Sequence, residues 1–238
     1  MSTLSELQSK KLGLFELISL GFDIYLKKNR LFLGFLLIYL PFVIILIGFS
    51  ESISYNFNSL FLSLSFLFYI FYIFVIVPIY VVTLSLLTES CVFQENIQPK
   101  AIVRRILSRI LPLIGLWVRF SLTSSLLFLL LIVPGIIYSV NNGFCLQAFI
   151  LRDQRGKAAF QYSRTLVKGN WWKTFFLSLL SYIIVFGLQG IFNKILSTVI
   201  ANYPIVVVVI SNVLAQVIGL GVTIGGVLLF LNLEFQKQ

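Results

Sequence analysis

The chain has 238 residues, of which 59% are apolar and only 11% charged, whereas a soluble domain has about a quarter of its residues charged. Several uncharged runs of about 20 residues are the mark of helices solvated by lipid, so a soluble fold is excluded and there is room for about six such helices. The net charge of +10, from 18 Lys and Arg against 8 Asp and Glu, is concentrated between these runs, which fits membrane sidedness and anionic lipid headgroups better than nucleic acid.

Residues 4–28 predict a first surface helix. Leu14, Phe15, Ile18, Phe22, Tyr25 and Leu26 recur at helical spacing, with Glu16, Asp23 and Lys27 opposite, so the helix can lie in the membrane interface with its apolar face down. The N-terminal stretch is too charged and too interrupted to read as a cleaved signal peptide. The first span is expected over 31–49, with a kink at Pro41. Residues 50–58 carry no basic residue and read as an outer loop. The second span, 60–87, is longer than the hydrocarbon core requires, which predicts tilt, protrusion or a kink at Pro78.

Pro99 suits the first turn of a helix, and 99–110 reads as a second amphipathic surface helix. Its polar stripe carries Arg104, Arg105 and Arg109. The third span is expected over 113–133 and the fourth over 135–151, joined by a Pro134–Gly135 turn. A third surface helix, 156–168, places Lys157, Gln161, Arg164 and Lys168 on one stripe, and Gly169 suits a C-terminal stop. Trp171 and Trp172 mark headgroup depth as interface anchors. The fifth span is expected over 172–192 and the sixth over 204–233.

The predicted fold class is therefore all-α, a single polytopic membrane domain over 1–238. About six transmembrane helices form three hairpins, and amphipathic interfacial helices lie on the cytoplasmic face. With both termini inside, the inner segments hold five, four, six and one of the basic residues, sixteen of the eighteen. That asymmetry sets the orientation.

Some residues invite functional readings. Arg119 is the one basic residue well inside a predicted span, a placement that costs about 2.5–3.5 kcal/mol on insertion scales. It marks either a cavity or anion contact, or a side chain that snorkels to the inner interface. Ser211, Ala215 and Gly219 recur every four residues, beside a Gly221–Gly225 pair. Small residues let helices approach closely, whether within this chain, in a homo-oligomer or larger membrane complex, or in a gating helix. Asn141, Asn142, Gln147, Asn212 and Gln216 either bond between helices or line a path. Arg104, Arg105, Arg109, Lys157, Arg164 and Lys168 are the expected contacts to anionic lipid headgroups. The eight acids are scattered, Cys91 and Cys145 lie in or beside apolar runs, and no phosphate-binding Gly loop or nucleophile elbow is present. No enzymatic activity, cofactor, metal site or nucleic-acid partner is expected.

One stretch carries a resemblance. An apolar run, Pro134-Gly135-Ile136-Ile137-Tyr138, a second run, then Ala158, Ser163, Leu166 and Lys168-Gly169-Asn170-Trp171-Trp172 is similar to a widespread group of bacterial membrane proteins. That group includes the membrane domain fused to some glycerophosphodiester phosphodiesterases. The end of the chain is similar to the group's last helix, although the Tyr is missing and Asn232 or Glu234 stands where the group has an acid. The resemblance implies a six-helix membrane fold and no assigned activity, and with the charge asymmetry the expected location is a bacterial cytoplasmic membrane with both termini cytoplasmic. The phosphodiesterase domain is absent from this sequence, and its activity does not carry over.

Overall fold

Every element of the computed structural model is a helix among the residues it describes, which are 3–55, 59–95, 98–200 and 202–237, with side chains described outside 50–61. Five helical stretches are long and apolar enough to cross a membrane: Asn29–Phe49, Leu62–Val92, Ile110–Leu130, Trp171–Val199 and Pro204–Phe235. In the fourth of these only 6% of its most apolar window is buried in protein. Leu179, Ile183, Phe186, Ile191 and Ile195 all point outward from it. A helix that turns its apolar side chains away from the protein requires an apolar surrounding.

The expected first surface helix is two helices, α1 (Thr3–Ser9) and α2 (Leu14–Lys27). The Glu16 carboxylate caps the start of α2 by accepting the Gly13 N–H at 2.6 Å and pairing with Lys10 at 2.7 Å. The helix does not rest its whole apolar face on lipid. Leu17, Gly21, Ile24 and Tyr25 are buried, and α2 packs along the last helix, α12 (Pro204–Phe235). Phe15 and Leu26 face outward.

The first apolar helix, α3 (Asn29–Tyr55), runs through Pro41 without interruption. It continues to Tyr55, so the stretch expected as an outer loop is helical that far, and 56–58 lie outside the described residues. The second apolar segment is α4 (Ser59–Phe71), a π-helical turn at Tyr72–Ile76, and α5 (Val77–Val92). Proline sets the position of that wide turn. Val77 N–H reaches back five residues to the Tyr72 carbonyl, and Pro78 has no N–H to give to the next one, Ile73. The Trp117 indole N–H donates to that carbonyl instead, at 2.8 Å. The expected strain at Pro78 is thus taken up by a π-turn and repaired from a neighbouring helix.

After α6 (Pro99–Leu107), α7 (Ile110–Leu130) leads to a turn at Leu131, whose backbone is extended at φ −153°, ψ 128°. The turn is therefore not at Pro134–Gly135. Both of those residues lie in the first turn of α8 (Ile132–Asn142), where a proline's missing N–H costs nothing. Gly135 is needed for packing, because a Cβ there would lie 2.6 Å from the Phe128 ring of α7.

The expected fourth span, 135–151, is not one helix. The chain breaks at Gly143–Phe144 and resumes as α9 (Cys145–Arg152), eight residues long. The third expected surface helix, α10 (Lys157–Val167), is not merely superficial either. Ala159, Phe160, Ser163, Leu166 and Val167 are buried, and α10 packs on α8, α9 and α12. It ends before Gly169, whose φ of +85° turns the chain into α11 (Trp171–Val199). Helix α11 lies along α12, and the C-terminal half of α12, from Gly219 to Glu234, is almost wholly buried. Asn232, fully buried there, accepts the Leu12 N–H at 3.2 Å and donates to Leu7 O and Lys10 O at 2.8 and 2.9 Å. It therefore holds the turn between α1 and α2 against α12.

Candidate functional site

The site grows from the break between α8 and α9. Such a break strands backbone groups that have no helical partner, and where they are buried another group must meet them. The Ser163 hydroxyl of α10 meets two of these groups, donating to Asn141 O at 2.8 Å and accepting the Phe144 N–H at 3.1 Å. Asn142 donates back to Tyr138 O at 2.8 Å and accepts from Arg164 Nε at 3.0 Å.

The other side of the break opens on a cleft of about 470 Å³. Tyr80, Leu84 and Ser85 of α5 form one wall, and Ser139, Gly143, Phe144 and Gln147 form the broken edge. Thr174, Ser178, Ser181 and Val185 of α11 face Thr223, Gly226 and Val227 of α12. The residues are small where the space is, and a Cβ on Gly226 would meet nothing within 4 Å. Tyr182 and Phe186, each about two-thirds exposed, stand at the rim, so the cleft opens sideways onto the apolar surface. The Gln147 amide oxygen is buried and has no hydrogen-bond partner among the described residues, which is unusual because buried polar atoms are nearly always paired. A second cleft, of about 230 Å³, shares Tyr80, Val185 and Thr223 with the first and reaches Tyr39, Tyr72 and Gln216.

A charged cluster closes the end of the bundle next to the break. The Arg152 guanidinium, at the end of α9, donates to Glu234 of α12 at 2.5 Å through both Nε and Nη2, and to Glu89 of α5 at 2.6 Å. The Tyr162 hydroxyl also donates to Glu234. Burial and the Glu234 carboxylate both push the Tyr162 hydroxyl above its ordinary pKa, so it keeps the proton it donates. The cluster ties the same ends of α5, α9 and α12 together with α10. Its two carboxylates are held by a guanidinium, and among the described residues no three of His, Cys, Asp and Glu converge on a metal-sized space.

The singled-out residues separate by what surrounds them. Arg105 Nη2 donates to Ile150 O at 2.6 Å, covering a carbonyl at the end of α9. Arg109 pairs with both oxygens of Asp153, at 2.6 and 3.2 Å. With Arg164 bonded to Asn142, three of the six expected headgroup contacts hold the protein's own elements together. Arg104, Lys157 and Lys168 are exposed and, among the described residues, form no salt bridge. Arg119 is exposed, and its guanidinium lies 5.5 Å from the centre of the Phe160 ring, a cation–π contact. Trp171 stacks on Phe175, and Trp172, 65% exposed, stacks on Phe176.

The small residues of α12 serve two neighbours. A Cβ on Gly219 would lie 2.8 Å from Val185 of α11. Gly221 and Gly225 face Phe22 and Leu17 of α2. Ser211 donates to Val207 O at 2.7 Å, and Ala215 is buried. Sequence reasoning noticed Gln147 but missed the Arg152–Glu89–Glu234–Tyr162 cluster and the Ser163 bridge. The available signal was one arginine and two glutamates at the ends of three apolar runs. The chain matches no protein-family model, no curated protein and no solved structure.

Proposed function

We propose that this protein is a non-enzymatic, multi-pass membrane protein that binds a lipid-like molecule in the cleft beside the broken helix. In this reading it crosses the bilayer six times as three hairpins, and α8 and α9 together make the fourth crossing. The shared end of α5, α9 and α12 at Arg152 supports an even number of crossings. Sixteen of eighteen basic residues support placing that end, with both termini, in the cytoplasm. Arg104, Lys157 and Lys168 then meet anionic headgroups, with Trp172 at the interface. The resemblance of Pro134–Trp172 supports a bacterial cytoplasmic membrane, and a role in envelope or lipid homeostasis, or as an accessory subunit of a larger assembly, fits this reading.

The observation that carries the binding reading is a helix interrupted at the edge of a sideways-opening, mostly apolar cleft. Ligand sites in membrane proteins are often built at such interruptions. A carrier for the same molecule is the second reading, favoured by the two clefts that meet at Tyr80, Val185 and Thr223. The test is to purify the protein in native lipid and identify what remains bound by native mass spectrometry. Gly226→Leu adds bulk to the cleft wall at a position where a Cβ would meet nothing within 4 Å, and Gly190→Leu adds the same side chain at an exposed, open position. The expected result is a bound lipid retained by the wild type and by G190L and lost by G226L. Equal retention by both variants refutes the cleft as the site.

A further inference from the structure

Four segments meet at one corner of the fold, and each brings a lysine there. Asn232 holds the turn between α1 and α2, which carries Lys11, against α12, and Gln236 adds a bond to Gln8 O at 3.3 Å. One residue on, the Lys237 ammonium donates to Thr165 O and to Lys168 O, the latter at 3.0 Å. It thereby caps the end of α10, where carbonyls lack helical partners. The Asn170 N–H bonds Val167 O at 2.8 Å, and the chain then enters α11 with Lys173 in its first turn. Lys11, Lys168 and Lys237 are exposed, and Lys173 is half-buried.

Little in the chain balances these charges. The Lys11 charge reaches both Lys237 and Lys173. Burial, and then Lys11 and Lys168, hold the Lys237 ammonium below its ordinary pKa. Among the described residues none of the four forms a salt bridge. The acids close by are Glu16, which faces Lys173 but is bonded to Lys10 and the Gly13 N–H, and Glu6, which faces Lys10. Five lysines against two glutamates leave the corner at +3. A lysine in the first turn of a helix also opposes the helix dipole. The fold therefore gathers positive charge that its own side chains do not match, on groups that solvent reaches.

A singly charged carboxylate or phosphodiester would leave most of that excess in place. Lysine ammoniums act toward phosphate as point charges, and the third Lys237 N–H remains to donate. In the orientation proposed above, Trp172, beside Lys173 and 65% exposed, brings the corner to headgroup depth. We infer that Lys11, Lys168, Lys173 and Lys237 bind a phosphate with two or more negative charges, whether it is a lipid's phosphomonoester headgroup or a free pyrophosphate. None of the four lines the cleft, so this is a second site.

The test presents the full chain, in detergent micelles at about pH 8, with equal amounts of phosphatidic acid and phosphatidylglycerol, and counts bound lipid by native mass spectrometry. At that pH a phosphomonoester carries about two charges and a phosphodiester one. The expected result is about a 5-fold preference for phosphatidic acid, most of which is removed by Lys11→Gln or by Lys173→Gln. Lys100→Gln, at an exposed position on α6, should change it by less than about 2-fold. Lys11 has like charges around it, so K11Q should leave the melting temperature in lipid-free micelles unchanged or higher, which separates a lost site from a lost fold. If inorganic pyrophosphate displaces phosphatidic acid from the wild type and binds K11Q more weakly, the site takes the free anion. If it displaces nothing, the lipid headgroup is the source. Equal retention of the two lipids, or K11Q and K173Q no different from K100Q, overturns the site. G226L should leave the preference intact, so the cleft reading and this one fail separately.

Discussion

Replacing Arg152 with methionine keeps an unbranched, flexible stem and removes the guanidinium and its charge. In the native protein the guanidinium satisfies Glu234, whose side chain is 4% exposed, and Glu89, at 15%. R152M leaves both carboxylates close together in a poorly solvated place with only the Tyr162 hydroxyl still donating to Glu234. Removing one partner of a buried pair costs about 3–5 kcal/mol. Arg152 itself is 26% exposed, so water can partly replace it, and the loss should be about 3 kcal/mol. Reversible unfolding in mixed detergent micelles, followed by the fluorescence of the three tryptophans, measures it. Glu89→Gln should cost less, about 1 kcal/mol, because its amide oxygen can still accept from Arg152 and only the charge is lost, at a more exposed site. The triple variant R152M/E89Q/E234Q carries no stranded charge and should return to within about 1 kcal/mol of wild type. A single R152M loss below about 0.5 kcal/mol, or a triple variant no better than R152M, would refute the claim that these charges are mutually dependent.

Ser163→Ala removes one donor and one acceptor from the break and should cost about 2 kcal/mol, with faster hydrogen exchange of the Phe144 amide than of its neighbours in α9. Gly21→Ala puts a Cβ 2.2 Å from the Gly221 carbonyl oxygen, a backbone atom that cannot step aside. It should cost about 3 kcal/mol and release α2 from α12, read as new cysteine reactivity at position 17 in a Leu17→Cys background. Gly221→Ala meets the Phe22 ring instead, which can turn, and should be milder in the same assay. Lys10 first, and then the Gly13 N–H, hold the Glu16 carboxyl below its ordinary pKa. A carboxyl depressed on folding contributes stability that is present above its unfolded pKa and is lost as pH falls through the folded one. Amide protection at the start of α2 should therefore fall with acid in wild type and be independent of pH over that range in Glu16→Gln.

The break at Gly143 shows why local reading stops where it does. Residues 135–151 read as a span because hydropathy is a sum over neighbours along the chain, and Asn141, Asn142 and Gly143 lower that sum only slightly. Whether the run stays helical depends on a partner for the Phe144 N–H, and that partner, Ser163, sits nineteen residues away on a helix whose own pattern looked like a surface stripe. The basic residues show the same limit. A stripe of Arg104, Arg105 and Arg109 indicates which face is polar. It does not indicate that Arg105 finds Ile150 O and Arg109 finds Asp153, which depends on how α6 lies across the end of α9.

The sequence alone determined that the chain is helical and carries several long apolar runs, because those properties follow from each residue's own transfer free energy and helix propensity, whereas the ends of the first and fifth runs, at Tyr55 and Val199, lay beyond those expected. The clustering of the basic residues between those runs was legible for the same reason. The cleft, the unpaired Gln147 oxygen and the Arg152 cluster were decided only by tertiary structure. They consist of groups from separate helices, and whether a polar atom is satisfied, stranded or paired depends on which neighbour the fold brings within about 3 Å of it.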